Sequence, residues 1–226
     1  MKRAGWIFIV SNVILLSFFL LINKEMAMAK TNQIQLPQPI TKGKISLEEA
    51  ILKRRSQRTF IQKDLTLKEI SQLLWAGQGI TGKGGGFSLR TAPSAGALYP
   101  IEIYLLKKDG LFHYLSQGHK LEVLSEKDLR DSLASVAWGQ GSVSQAAADI
   151  VICAVYQRVS AKYGERGIRY THIEAGHVAQ NIHLEAVALG LGSVPIGAFT
   201  DEEVKKILSL PKDHEPLYII PVGYPD

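Results

Sequence analysis

A long segment in the second half of the chain carries apolar residues around most of its circumference. This distribution, between residues 170 and 189, predicts one long, largely buried central helix. Gly190 and Gly192 follow directly and favour an end in a left-handed cap. The apolar positions are Ile173, Val178, Ala179, Ile182, Val187 and Leu189.

Further helices are indicated by the residues that would begin them. A Ser or Thr that can accept a backbone N–H bond, followed three residues later by a carboxylate, is typical of a helix start. We therefore predict helices that begin at four places. The pairs are Ser46 with Glu49, Thr66 with Glu69, Ser125 with Asp128, and Thr200 with Glu203.

Strands are predicted where branched and aromatic residues form short runs. These runs lie at residues 101–107, 111–115, 150–156 and 217–222, and the first two flank a predicted hairpin turn at Lys108, Asp109 and Gly110. The glycine-rich residues 82–86 are predicted to form a flexible loop. Helices interspersed with a few non-consecutive strands indicate an α+β fold with one mixed sheet flanked by helices.

The N-terminal segment has the pattern of an export signal. A basic pair at residues 2–3 precedes an apolar stretch at residues 6–22, and residues 27–29 (Ala-Met-Ala) suit signal-peptidase cleavage. An uncleaved membrane anchor remains the alternative, because the stretch approaches the roughly 20 apolar residues that span a bilayer. With residues 1–29 as signal peptide or anchor, the folded domain is expected outside the cytoplasm. Residues 30–45 are predicted to be a linker or arm, and residues 46–226 a single domain.

Composition narrows the classes of function. The chain has 226 residues, 46% of them hydrophobic and 21% charged, as in an ordinary packed domain. Its net charge of +5 is too small to indicate nucleic-acid binding. The single cysteine, Cys153, lies in an apolar run and is predicted to have a packing role. His172, His177 and His183 are five and six residues apart, a spacing that does not indicate a metal site.

Two short segments contain residues suited to binding a ligand. Arg54, Ser56 and Arg58 offer guanidinium groups that suit a phosphate, although a basic helix end facing its own dipole would look the same. Residues 93–100 include Ser94 and several small residues that allow the backbone to approach a flat ligand. As a bare turn before a strand, this segment would be unremarkable.

Two groups of polar residues could have a role in chemistry or in packing. Lys162 and Tyr163 lie in a predicted polar loop, where they could donate or accept a proton or could be solvated surface. A polar stripe on the long predicted helix favours buried polar partners or a subunit interface over catalysis. Its members are Glu174, His177, Asn181 and Glu185.

Taken in order, these segments resemble the FMN-dependent nitroreductase superfamily from residue 46 to residue 224. Arg54, Ser56 and Arg58 match the opening Arg-x-Ser-x-Arg/Lys signature of that superfamily. The segments that are similar to its azoline (SagB/ThcOx-type) dehydrogenase branch are residues 93–100, residues 169–177 with Gln180 and Asn181, and residues 192–199.

The resemblance implies a nitroreductase-like homodimer with FMN at the subunit interface. It assigns the phosphate, ribityl chain and pyrimidine edge of FMN to Arg54, Ser56 and Arg58. It assigns the ribityl side and the isoalloxazine to Pro93, Ser94 and Gly96. It also places Pro195, Ile196 and Gly197 close to the flavin ring, where a backbone N–H can face N5.

The resemblance also implies a reaction. An FMN-dependent dehydrogenase or oxidase would transfer hydride between a small-molecule or peptide substrate and flavin N5, while Lys162 or Tyr163 takes the proton. The alternatives are an NAD(P)H-dependent reductase of nitro compounds or quinones and a flavin-binding protein without turnover. The chain departs from many nitroreductases in two ways: it has no basic C-terminal tail, and Gly197 replaces the acidic residue often found there. The second departure disfavours nitroreduction driven by a nicotinamide.

Overall fold

The structure, a computed structural model, describes residues 32–226, so the predicted signal or anchor at residues 1–29 lies outside the described residues. The strands are β1 (Gln33–Gln35), β2 (Ile80–Gly84), β3 (Phe87–Arg90), β4 (Ile101–Lys107), β5 (Gly110–Leu115), β6 (Lys120–Ser125), β7 (Ala148–Ala154), β8 (Gly192–Ser193) and β9 (Glu215–Gly223). The helices are α1 (Leu47–Lys53), α2 (Leu67–Gln78), α3 (Arg130–Val136), α4 (Gly141–Gln145), α5 (Gln157–Tyr163), α6 (Arg166–Ala188) and α7 (Asp201–Ile207), with a 3₁₀ turn at Ala95–Ala97.

The main sheet has seven strands in the order β1-β6-β5-β4-β7-β9-β8. Its ladders are antiparallel, and an isolated parallel bridge joins Ser56 to Ser193. Successive side chains of β4 and β7 point alternately into two hydrophobic cores, one on each face of the sheet. One core includes α2 and α6, and the other includes α3, α4 and α7. The predicted α+β fold, with helices on both faces of one sheet, is thereby confirmed.

Helix α6 is the longest described helix and crosses one face of the sheet. It has 23 residues and begins at Arg166, four residues before the predicted start. Its end is as predicted, because Gly190 adopts a positive φ of 75°, whereas Gly192 belongs to β8. The expectation that α6 is largely buried was wrong for one face. Ile168 and Ile173 are 44% and 51% exposed there.

Two of the four predicted helix starts have the expected side-chain caps. Ser46 accepts a bond from the Glu49 N–H, and Thr66 and Glu69 form a complete capping box. Thr200 precedes α7 as predicted but makes no side-chain cap bond. The prediction at Ser125 was wrong. That residue pairs with Leu111 at the end of β6, and α3 begins only at Arg130.

The four predicted strands are present as β4, β5, β7 and β9, with ends shifted by no more than two residues. The predicted loop at residues 82–86 was wrong, because β2 and β3 form a hairpin there. Gly85 and Gly86 make its turn with φ values of 58° and 83°. Both values are easily adopted only by glycine.

The predicted linker at residues 30–45 includes an ordered part of the domain. Strand β1 pairs with β6, and Leu36 is only 2% exposed. The backbone N–H of Ile40 donates to the Gln72 side chain, whose amide donates back to the Ile40 carbonyl. The compact unit therefore begins at Gln33, and the boundary predicted near Ser46 was too late.

Cys153 lies on β7 and is fully buried, and burial raises the pKa of its thiol, which supports the predicted packing role. No helix within residues 32–226 combines the length and the hydropathy needed to cross a bilayer. The same residues contain no group of three or more His, Cys, Asp or Glu side chains arranged to hold a metal ion.

Candidate active site

Residues 54–58 run in an extended conformation beside β8. Helix α1 ends at Lys53, and Arg54 is its C-cap with φ −55° and ψ 118°, so Arg54 and Arg58 do not share a helical turn. Ser56 bridges Ser193, and the Gln57 N–H donates to the Ser193 carbonyl over 3.0 Å. Arg54 therefore lies at the basic end of α1, as the alternative considered from the sequence has it, whereas Ser56 and Arg58 lie beyond the helix.

Two glycines allow this segment to pack closely against the sheet edge. A Cβ on Gly192 would lie 2.7 Å from the Cβ of Gln57, and one on Gly223 would lie 3.0 Å from the Phe60 ring. Phe60 is buried, and the next residue, Ile61, donates its N–H to the Tyr224 carbonyl over 3.0 Å. Backbone contacts on both sides therefore fix where the side chains of residues 54–58 begin.

The polar side chains of this segment remain available to a ligand. Arg54 is half-buried, whereas Ser56 and Arg58 are exposed. Within residues 32–226, neither Arg54 nor Arg58 has a carboxylate within 4.0 Å. Two guanidinium groups and a hydroxyl on one short segment are the donors that a phosphate group prefers. The donors present therefore fit the phosphate end of FMN.

A buried histidine that the sequence analysis weighed only as a metal ligand lies behind this segment. The Nδ1 atom of His183, on α6, is 2.8 Å from the Ser193 hydroxyl oxygen. Burial, reinforced by the charge of Arg54, lowers the pKa of His183 to about 4. His183 is therefore neutral at pH 7 and connects α6 to β8.

In the segment after β8, residues 195–197 differ in whether a backbone N–H is free to donate to the flavin. Ile196 is 4% exposed, and its N–H and carbonyl both bond to Ile219, over 2.8 and 2.9 Å. Pro195 has no N–H. Gly197 is exposed, and its N–H has no bond to any backbone group of residues 32–226. Ile196 is thus a core residue that cannot contact the ring through its N–H, and Gly197 offers the free donor.

The run that contains Ser94 forms a strained loop. Gly96, Ala97 and Tyr99 have positive φ values of 64°, 55° and 46°, which are uncommon for the two non-glycine residues. The Ser94 hydroxyl accepts the Tyr99 N–H over 2.9 Å, and the Tyr99 hydroxyl accepts the Arg90 N–H over 3.2 Å. One hydrogen bond within the loop and one from the neighbouring strand β3 therefore hold its shape. Pro93 and Gly96 are exposed on its surface.

Lys162 and Tyr163 lie against this loop. They are the last two residues of α5, so the prediction that they lie in a polar loop was wrong. A Cβ built on Gly96 would be 2.9 Å from the Tyr163 hydroxyl and 3.1 Å from Lys162 Nζ. A side chain at position 96 would therefore push one or both of these polar ends aside. The structure thus brings together one residue assigned to the flavin and both residues assigned to proton transfer.

A buried carboxyl group lies near the same loop. Glu174, on α6, is 2% exposed, and its Oε1 is 3.5 Å from Gln78 Nε2; the side-chain Oε1 of Gln78 in turn accepts a bond from Arg90 Nη1 over 2.8 Å. Burial raises the pKa of Glu174 to about 7, although the Ser94 and Gln78 side chains oppose this shift. Glu174 therefore meets the predicted need for buried polar partners, whereas His177 of the same stripe is exposed.

The predicted site residues thus form two separate clusters in one chain. The edge cluster consists of Arg54, Ser56 and Arg58 together with Ser193, and the loop cluster consists of Ser94, Gly96, Lys162 and Tyr163 together with Glu174. Helix α6 contacts the first at His183 and passes the second at Glu174, about 14 Å apart at the usual helical rise of roughly 1.5 Å per residue.

Comparisons with known proteins show the family to which the chain belongs. The family model described as "Nitroreductase family" matches residues 51–224. A protein named as a nitroreductase in Methanocaldococcus jannaschii is 41% identical over 202 residues, which cover 87% of this chain and 98% of that protein. A crystal structure described as a nitroreductase from Ralstonia eutropha has a TM-score of 0.76 and 31% identity, and covers 86% of this chain and 90% of the other.

Two relatives with more specific names match shorter parts of the chain. The microcin B17-processing protein McbC of Escherichia coli is 29% identical over 132 residues, 54% of this chain and 48% of that protein. The NADPH-flavin oxidoreductase of Vibrio harveyi is 31% identical over 124 residues, 49% of this chain and 52% of that protein.

The α+β fold and the family match together define the class of protein. The chain belongs to the nitroreductase family, whose members are flavin-dependent oxidoreductases. It is accordingly an FMN-dependent oxidoreductase.

Proposed function

We propose that this protein is a dehydrogenase or oxidase of the azoline (SagB/ThcOx) type, acting on a small-molecule or peptide substrate. The observation that carries the proposal is the position of Lys162 and Tyr163, whose polar atoms lie 3.1 and 2.9 Å from where a Cβ of Gly96 would be. A proton acceptor with a cationic amine beside it, against a loop assigned to the flavin, suits removal of a proton from a substrate carbon. The similarity to McbC, a microcin B17-processing protein, supports the same branch.

The chain's own residues would divide the work as follows. Bound FMN supplies the two-electron acceptor for hydride. Arg54 and Arg58 bind its phosphate, and the free N–H of Gly197 donates toward the ring. Tyr163, whose oxygen adjoins Lys162 at Gly96, would act as the phenolate, accept the substrate proton and become the neutral phenol; the ammonium group of Lys162 would stabilise the phenolate before that transfer. Pro93, Ser94 and Gly96 supply the surface on which a flat ring rests.

This proposal is tested by replacing the pair. Lys162→Ala and Tyr163→Phe should each retain FMN but lose turnover of a thiazoline-containing peptide, by roughly 10²-fold or more for Tyr163→Phe. Tyr170→Phe is a matched control, because the Tyr170 ring packs edge-on against Tyr163 but lies outside the cluster. Unchanged turnover in both variants would remove the pair from the mechanism.

A reductase of nitro compounds or quinones, with NAD(P)H as the electron donor, is a second candidate. It is favoured by the likeness to the nitroreductase of M. jannaschii and to the NADPH-flavin oxidoreductase of V. harveyi. Anaerobic NADPH would bleach the flavin within seconds in such a reductase, and in the dehydrogenase it would leave the flavin oxidised. Stopped-flow absorbance therefore separates the two functions.

We further propose that the protein acts as a homodimer through its exposed apolar helix faces. Helix α6 exposes Ile168 and Ile173, and α1 exposes Leu47, Ile51 and Leu52 by 56% or more. Apolar side chains grouped on a helix face are typical of a subunit interface. Light scattering should give twice the chain mass for the wild type and the monomer mass for Ile168→Glu/Ile173→Glu.

For localisation, we propose that residues 1–29 direct the domain across the membrane as a cleaved signal or as an anchor. The basic pair, the apolar stretch and the Ala-Met-Ala sequence support export. Cell fractionation followed by N-terminal sequencing tests this. A mature N-terminus at Lys30 indicates cleavage, an intact chain in the membrane fraction indicates an anchor, and an intact chain in the cytosol contradicts export.

A further inference from the structure

Arg158 joins three parts of the chain that meet beside the loop cluster. Its Nη1 donates to the Tyr99 carbonyl over 3.0 Å, and its Nη2 is 2.6 Å from Glu102 Oε1. Tyr99 belongs to the strained loop, Glu102 to β4 and Arg158 to α5. The two arms of one planar guanidinium thus hold α5 to the loop and to the sheet at once.

The Glu102 carboxylate, which pairs with Arg158, is itself held in place by a second side chain. Glu102 Oε2 accepts a bond from His113 Nε2 over 2.7 Å, and the His113 ring stacks on Tyr104 at 4.8 Å between centroids. Burial alone would raise the pKa of Glu102, but the His113 bond and the Arg158 charge outweigh it and lower the pKa to about 2. Glu102 therefore remains ionised at every pH at which the protein would be assayed.

Arg158 also has a fixed geometric relation to the catalytic pair. It precedes Lys162 by four residues on α5, so the two side chains leave the same face of that helix. Lys162 and Tyr163 end the helix, and within residues 32–226 their polar ends make no ion pair or hydrogen bond, although the Tyr163 ring packs edge-on against Tyr170. The position of their polar ends therefore depends on how α5 is anchored, by its packing on α6 and by Arg158 one turn earlier.

We propose that Arg158 is a positioning residue that places Lys162 and Tyr163 against Gly96, with Glu102 as its anchor. This rests on the proposed function of the pair. Arg158 touches neither substrate nor FMN in this account; it acts by fixing α5 relative to the loop. A displacement of about 1 Å at a catalytic group can reduce turnover about 10²-fold, so a loose helix end has a large expected effect.

The test replaces each partner of the Arg158–Glu102 ion pair in turn, in the full-length protein loaded with FMN. Arg158→Gln and Glu102→Gln should each lower kcat at least about tenfold, while KM and FMN content stay near the wild-type values. Arg158→Lys keeps the charge but cannot reach both partners, so it should fall between the wild type and Arg158→Gln. It also keeps the test valid if Arg158→Gln fails to fold. Arg166→Gln, at the exposed start of α6, is the matched control and should leave kcat unchanged.

Combined variants separate positioning from a general structural role. If Arg158 acts through the pair, Arg158→Gln combined with Tyr163→Phe should be no slower than Tyr163→Phe alone. Losses that multiply, or a kcat unchanged in Arg158→Gln, would overturn the proposal. A loss in Arg158→Gln together with full activity in Lys162→Ala and Tyr163→Phe would overturn it too, and in that case the proposed role of the pair also fails. If Lys162→Ala and Tyr163→Phe lose turnover but Arg158→Gln does not, the positioning role of Arg158 is wrong and the proposed function of the pair still holds.

Discussion

The edge cluster and the loop cluster are built on opposite principles. In the edge cluster, backbone contacts and two glycines place an extended segment whose charged side chains stay free of protein partners. In the loop cluster, side chains hold the backbone in a strained turn, and α5 presses its last two residues against a glycine. Free charge at a fixed site suits binding of an anion, whereas packed polar groups suit chemistry that depends on distance. The two clusters should therefore fail in different ways.

The largest expected effect is on the edge cluster. Arg54→Ala combined with Arg58→Ala should weaken FMN binding about 100-fold or more, because each charged hydrogen bond contributes about 1.5–3 kcal/mol. Arg55→Ala is the control, since its guanidinium bonds to the Leu52 and Arg54 carbonyls of its own segment. FMN binding is measured by quenching of flavin fluorescence. A double variant that purifies with one FMN per chain contradicts the phosphate assignment.

The next effect separates the loop cluster from the edge cluster. Gly96→Ala should reduce turnover at least about tenfold, because the added Cβ would displace the Tyr163 hydroxyl. Gly86→Ala also forces alanine into a positive φ, but nothing lies within 4 Å of its Cβ. Both variants should lose about 1–2 kcal/mol of stability from the backbone, and only Gly96→Ala should lose turnover. Equal activities in the two variants would show that the contact with Tyr163 has no role in turnover.

The third effect compares the two buried titratable groups of α6. The pKa of Glu174 is raised to about 7 from 4.5, so the native state holds its proton longer and this group makes stability fall as pH rises from 4.5 to 7. The pKa of His183 is lowered to about 4 from 6.5, so this group makes stability fall as pH drops from 6.5 to 4. Each contributes up to about 3 kcal/mol across its window.

Urea unfolding between pH 4 and 8 checks this comparison. Glu174→Gln should remove the loss above pH 4.5, and His183→Gln should remove the loss below pH 6.5. The two single variants should therefore tilt the stability curve in opposite directions. If both shift the curve uniformly, without changing its slope, the two groups do not titrate differently in the folded and unfolded states.

The features that could be predicted from the sequence are those that depend on residues close together along the chain. The strand at 101–107, the caps at Ser46 and Thr66 and the glycine end of the long helix rest on local preferences. The wrong start at Ser125 came from a local pattern overridden by strand pairing with Leu111. The three residues of β1 were missed because pairing with β6, and not their composition, makes them a strand.

For the candidate site too, the sequence predicted some of the residues but not those that depend on contacts between distant parts of the chain. Arg54, Ser56, Arg58 and the Lys162–Tyr163 pair were found as residue types in a recognisable order. The core position of Ile196 could not be foreseen, because it depends on a bridge to Ile219 across the sheet. Arg158 and Glu102 are 56 positions apart, and only the antiparallel pairing of β4 with β7 brings α5 close to Glu102. Such contacts leave no periodic signal in a single sequence.

The most direct test of the central claim is the visible absorption spectrum of the purified protein, recorded before and after addition of FMN and desalting. We expect flavin bands near one FMN per chain in the wild type and their loss in Arg54→Ala/Arg58→Ala. A folded wild-type protein that stays colourless after incubation with FMN would show that this chain is not a flavoprotein.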